Sequence, residues 1–233
     1  MRNQGKSLTE RLSAIFLEIA GWLIPLIVSG PSLFIWAGLM TMPLIVYLAM
    51  MFLSLFNPNI ASKAVPDEPY IVTALTVLLF GGPYWPDKVI SILSILIMVY
   101  ATVYLNIKRK TGLVTSGPYR IVRNPQYLGA ILFTINLTSR SYREVLGDVG
   151  WLGPRGTLLV WLGTLVAYIL LALVEEAHMK KAFGEAYLAY RNQTAFLIPF
   201  VVTRRKWLEV AISIAIPVLL LRGLVLLNRA LYP

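Results

Sequence analysis

The chain has 233 residues, of which 58% are hydrophobic and only 14% charged, and its mean hydropathy is +0.71. A soluble domain carries about 25% charged residues, so a water-facing globular enzyme and a disordered chain are both excluded. The absence of cysteine and the single histidine, His178, rule out a disulfide framework, a thiolate or multi-histidine metal site and a cysteine nucleophile, while the net charge of +10 reads as a positive-inside bias rather than a nucleic-acid patch.

In chain order, apolar runs place membrane spans at 12–28, 33–56, 89–107, 158–174 and 208–227. The first follows a polar, basic start and lacks a small-residue cleavage site, so it is expected to be retained. Two further runs, 70–80 and 127–137, fall short of the roughly 17 residues a straight helix needs to cross a bilayer. They predict tilted, re-entrant or hairpin-like helices. The expected architecture is therefore an all-α, polytopic transmembrane bundle of five to seven spans, some short or hairpin-like. With the N-terminus inside, most Lys and Arg fall on the cytoplasmic side, together with the two longest polar stretches, 108–124 and 175–206. The organisation expected is N-terminal transmembrane helices over 1–107, a core over 108–206 and a C-terminal transmembrane or interfacial helix over 207–233.

Between these spans, residues 113–129 read LVTSGPYRIVRNPQYLG, a dense run of ordered polar residues in an otherwise apolar chain. Gly117-Pro118 is a turn signal. Asn124-Pro125 pairs a good N-cap with a residue suited to the first helical position. Helix starts at the membrane surface beside Arg120 and Arg123 offer N–H groups to a carboxylate or phosphate. A capped loop whose arginines face lipid phosphates explains the same residues equally well.

Glu175-Glu176 ends the span at 158–174. Glu175, Met179, Phe183 and Tyr187 recur every four residues, which puts Glu175 on the inward face, where a carboxylate seeks a cation. An interfacial glutamate paired with a nearby Lys or Arg is the alternative. Glu176 precedes Lys180 by four residues, the order of a solvated ion pair.

The run LVTSGPYRIVRNPQYLG resembles the signature of the isoprenylcysteine carboxyl methyltransferases and related phospholipid methyltransferases, and EEAHMKKAFGEAYLAYRNQTAFLIPF resembles their C-terminal signature. The resemblance implies an integral membrane, multi-pass enzyme. It would bind S-adenosyl-L-methionine in a cytoplasmic pocket closed by C-terminal helices and methylate a lipophilic or prenylated substrate drawn from the membrane lipids. By position it implies cofactor contacts at Tyr104, Thr111, Gly112, Leu113, Val114, Tyr119, Asn124, Pro125, Gln126, Tyr127 and Glu175. Glu175, Asn124 and Arg123 are the candidate catalytic residues, with no metal and no nucleic-acid partner. The chain departs from the family pattern at Asn124, where the family has histidine, at Leu171, where isoprenylcysteine enzymes have an arginine, and at Ala195-Phe196, where prokaryotic members have Pro-Arg. Two alternatives stand beside this reading: an NADPH-dependent sterol or isoprenoid reductase-like enzyme, and a degenerate, non-catalytic lipid-binding member.

Overall fold

The computed structural model describes residues 41–49, 85–108, 112–141 and 153–231. These form helices α1 (41–49), α2 (Trp85–Lys108), α3 (Pro125–Ser141), α4 (Gly153–Gln193) and α5 (Lys206–Leu231), with a 3-10 turn at Gly117–Arg120 between α2 and α3. Among the described residues there is no strand, only an isolated parallel bridge between Val122 and Ala195. The predicted spans at 12–28 and 70–80, and most of 33–56, lie outside the described residues.

Among the described residues three helices, α2, α4 and α5, are long and apolar enough to cross a membrane. On α2 and α5 polar side chains are buried and many apolar ones face outward. The buried side of α2 carries Asp87, Ser91, Ser94 and Ala101, while Val89, Ile92, Leu96, Val99 and Val103 face outward. On α5, Glu209, Ser213 and Asn228 are buried, while Leu219, Leu220, Leu226 and Leu227 are exposed. Water would penalise that arrangement; hydrocarbon favours it, because helix contacts in lipid form through small and polar groups.

The short run expected at 127–137 is the middle of α3, whose 17 residues span only about 25 Å. Each of α2, α4 and α5 packs on it. The core accordingly gathers Ile131, Phe133 and Ile135 of α3 with Trp161, Leu165, Tyr168 and Ile169 of α4 and Leu221 and Leu224 of α5. Gly129 makes the α2–α3 approach possible: a Cβ there would lie 2.8 Å from the Ser94 carbonyl oxygen and 2.9 Å from the Met98 nitrogen.

Polar ties close the end of the bundle where α2 begins and α5 finishes. Asn228 donates to Asp87 at 2.9 Å, and Asn136 to the Ser91 hydroxyl. Tyr47 of α1 shares a hydrogen bond of 2.7 Å with Thr138. At the opposite end, where α2 finishes and α3 and α5 begin, lies the 112–127 segment.

Candidate active site

Three chain segments build the site: the link from α2 to α3, the end of α4 with the residues after it, and the first turn of α5. Gly117 shapes the link, with φ at 61° and no room for a side chain, since a Cβ would sit 2.6 Å from the Tyr104 ring. Tyr104 then hydrogen-bonds through its hydroxyl to Ser116 at 2.8 Å. Upstream, Gly112 is exposed with φ at 105° and open space beside it, Leu113 is half-buried and Val114 buried. Thr111 lies outside the described residues.

Tyr119 turns inward and donates to the Gln126 side-chain oxygen at 2.9 Å. Burial, and then the negative charge of Glu175, raise its phenol pKa well above the usual value. The hydroxyl thus stays protonated, a permanent donor. Tyr190 donates to the Tyr119 carbonyl at 2.6 Å and fixes the turn from behind. One residue on from Gln126, Tyr127 donates to Glu175 at 2.7 Å, and its ring packs against Tyr168 with centroids 5.6 Å apart. Glu175 is half-buried on α4, the expected inward placement.

Asn124 and Arg123 hold the start of α3 to the chain after α4. The Asn124 carbonyl accepts the Leu128 N–H at 3.1 Å, as expected of an N-cap position, but its side-chain amide donates to the Phe196 carbonyl at 3.2 Å. Arg123 is 5% exposed and fully engaged. Its backbone N–H bonds the Ala195 carbonyl at 2.8 Å. Through Nη1 it donates to the carbonyls of Arg191 at 2.7 Å and Thr194 at 2.9 Å, and through Nη2 to Glu209 at 2.8 Å. Nε makes an ionic contact of 2.6 Å with Glu176, off the line of a straight hydrogen bond, and the guanidinium lies 5.5 Å from the Phe196 ring centroid. Arg191 reaches the other Glu209 oxygen at 3.3 Å. Two arginines and two glutamates thereby balance.

One expectation is overturned. Glu176 is not a solvated partner of Lys180; it is 5% exposed and paired with Arg123. The buried stripe of α4 runs Trp161, Leu165, Tyr168, Ile169, Ala172 and Glu176. Gly184, with φ at 51° and ψ at −123°, breaks the helix, so the buried Tyr187 beyond it does not report the phase before it. Glu175 and Glu176 both turn toward protein, on adjoining faces. Sequence reasoning missed Glu209, Arg191, Ser116 and Tyr190 as supports of the site. Acidic Glu209 in the first turn of α5 reads as an ordinary helix-dipole residue, and no local signal marks its pairing with Arg123.

Residues 72–186 match a family model described as phospholipid methyltransferase, covering the link, α3 and the Glu175-Glu176 end of α4. Over that stretch the chain belongs to the phospholipid methyltransferase family. These are integral membrane methyltransferases related to the isoprenylcysteine carboxyl methyltransferases, and they act on lipid-type substrates. No match was found among curated proteins or among solved structures. The chain is thus an integral membrane protein of a methyltransferase family, in agreement with its three apolar helices.

Proposed function

We propose that the chain transfers a methyl group from S-adenosylmethionine to a lipophilic acceptor, at a site on the cytoplasmic side of a multi-pass bundle. The observation that carries this reading is the Glu175 carboxylate held by Tyr127 beside the Tyr119–Gln126 pair, at the junction of the link, α3 and α4. Its donor set fits the cofactor: a half-buried carboxylate for the amino group or sulfonium, tyrosine rings for flat apolar surface, and an open glycine stretch at Gly112 where backbone is accessible. Tyr104, Gly112, Leu113, Val114, Tyr119, Asn124, Pro125, Gln126, Tyr127 and Glu175 are the residues proposed to form that pocket, with Thr111 as their neighbour in sequence.

When bound, S-adenosylmethionine would supply an electrophilic methyl group to an acceptor lone pair, with the thioether S-adenosylhomocysteine as the leaving group. The chain's part is positioning and exclusion of water. Glu175, oriented by Tyr127, holds positive charge. Tyr119 and Gln126 orient polar edges. Arg123 acts as a positioning residue, because its donors are spent on Glu176, Glu209 and two carbonyls. Asn124 likewise serves the frame by holding the Phe196 carbonyl. Half-buried Leu171 brings no charge to a carboxylate acceptor. The NADPH reading loses Arg123 as a partner for a 2′-phosphate, since that guanidinium already faces two carboxylates.

Incubation of the full chain in lipid nanodiscs with methyl-labelled S-adenosylmethionine tests the reading. Label should enter the lipid fraction when either phosphatidylethanolamine or a prenylated cysteine is present, and should be lost in Glu175→Gln. Labelled cofactor that binds yet transfers nothing to either acceptor would favour a non-catalytic lipid binder.

A further inference from the structure

The chain between α4 and α5 leaves the protein and returns to one residue. Arg123 bonds the carbonyls of Thr194 and Ala195 on the way out and the carboxylate of Glu209 on the way back. Residues 194–197 are all buried. From Ile198 onward the segment turns outward, with the Val201 N–H bonding the Ile198 carbonyl at 3.3 Å. At its tip Phe200 has φ at 67° and is 88% exposed. A bulky side chain in the left-handed region and outside the protein gains nothing from the fold that explains its strain. Val202 and Trp207 are exposed beside it, Trp207 by 65%, and Arg204, Arg205 and Lys206 are exposed between them.

We infer that residues 200–207 are an anchor for an anionic bilayer surface, with Phe200 and Trp207 seated at the headgroup boundary and the three cations on lipid phosphates. Position supports the choice of occupant. The 26 residues of α5 extend about 39 Å, more than the roughly 30 Å of hydrocarbon, so a helix beginning at Lys206 starts in the headgroup layer. Charge supports it too: the tip, Phe200 to Lys206, carries three cations and no acidic residue. Aromatic rings with polar or basic neighbours are stable at that depth. Because both ends of the excursion are tied to Arg123, the anchor fixes the frame that carries Asn124, Gln126 and Tyr127.

The inference is independent of methyl transfer, and its test is physical. The full chain is reconstituted in phosphatidylcholine vesicles doped with headgroup-region spin-labelled phosphatidylglycerol or, separately, spin-labelled phosphatidylcholine, and tryptophan quenching is compared. Each cation near an anionic surface contributes about fivefold to partitioning. The phosphatidylglycerol probe should therefore quench more strongly. That excess should fall with added salt and in the triple variant Arg204→Gln, Arg205→Gln, Lys206→Gln. Trp207→Phe, which leaves the charges in place, should lower the excess by the share that Trp207 reports, the other five tryptophans still emitting. Equal quenching by the two probes, or an excess undiminished by the triple substitution or by Trp207→Phe, would overturn the anchor.

Discussion

In the proposed function the Glu175–Tyr127 hydrogen bond holds the cofactor's positive charge, and a charge-assisted hydrogen bond of this kind contributes roughly 1–3 kcal/mol. Glu175→Gln should weaken S-adenosylhomocysteine binding by about that amount, and Tyr127→Phe by about 1 kcal/mol through loss of carboxylate orientation, both measurable by calorimetric titration. Arg123 lives on the stability side. Removing one partner of a buried ion pair costs about 3–5 kcal/mol, so Arg123→Ala should lower the thermal midpoint sharply, and Arg123→Lys should recover little because it cannot replace the planar fork. Asn124 separates two roles. A simple N-cap would accept aspartate, but Asn124 also donates to the Phe196 carbonyl, so Asn124→Asp should lose about 1–3 kcal/mol of stability, read by thermal unfolding, whereas Asn124→His retains a donor. Spacing through Tyr187 puts Glu175 on the inward face and Glu176 in solvent, but the buried stripe of α4 passes through Glu176, and Glu175 lies half-buried beside it. Glu176 is misplaced because that spacing is extrapolated across Gly184 instead of being traced back through Ala172 to Trp161.

At the scale of elements, α4 joins the membrane to the site and bends at Gly184. An L side chain at its positive φ is strained, so Gly184→Ala should destabilise by about 1 kcal/mol or more and displace the Tyr187–Tyr190 segment that backs Tyr119. Helix α3 depends on a different glycine property. Gly129 lets α2 come close, and Gly129→Leu should separate the two helices, lowering thermal stability while also reducing cofactor affinity, since Tyr104 and Gln126 sit on opposite sides of that contact. The ends of α2 and α5 were readable from apolar run length to within a few residues, whereas α4 continues well past the apolar run at 158–174, through a polar stretch to Gln193. The run at 127–137 could not be assigned a place from sequence, because a short apolar stretch reads alike as a re-entrant arm or a buried helix. Its position in the middle of α2, α4 and α5 comes from tertiary packing.

For the whole molecule, the buried polar and outward apolar side chains of α2 and α5 assign hydrocarbon to the outer faces and polar ties to the interior, with the site at one end of the bundle. Two signatures far apart in sequence meet there through the Val122–Ala195 bridge and the Arg123 network, so the junction is a property of the closed bundle rather than of either motif alone. The central claim is that this junction receives S-adenosylmethionine through Glu175. The most direct measurement is calorimetric titration of the purified full chain with S-adenosylhomocysteine and, separately, with NADPH, repeated on Glu175→Gln. The account predicts saturable binding of S-adenosylhomocysteine, weakened by roughly tenfold to a hundredfold in the variant, and no binding of NADPH. Binding of NADPH alone, or S-adenosylhomocysteine affinity unchanged by Glu175→Gln, would contradict it.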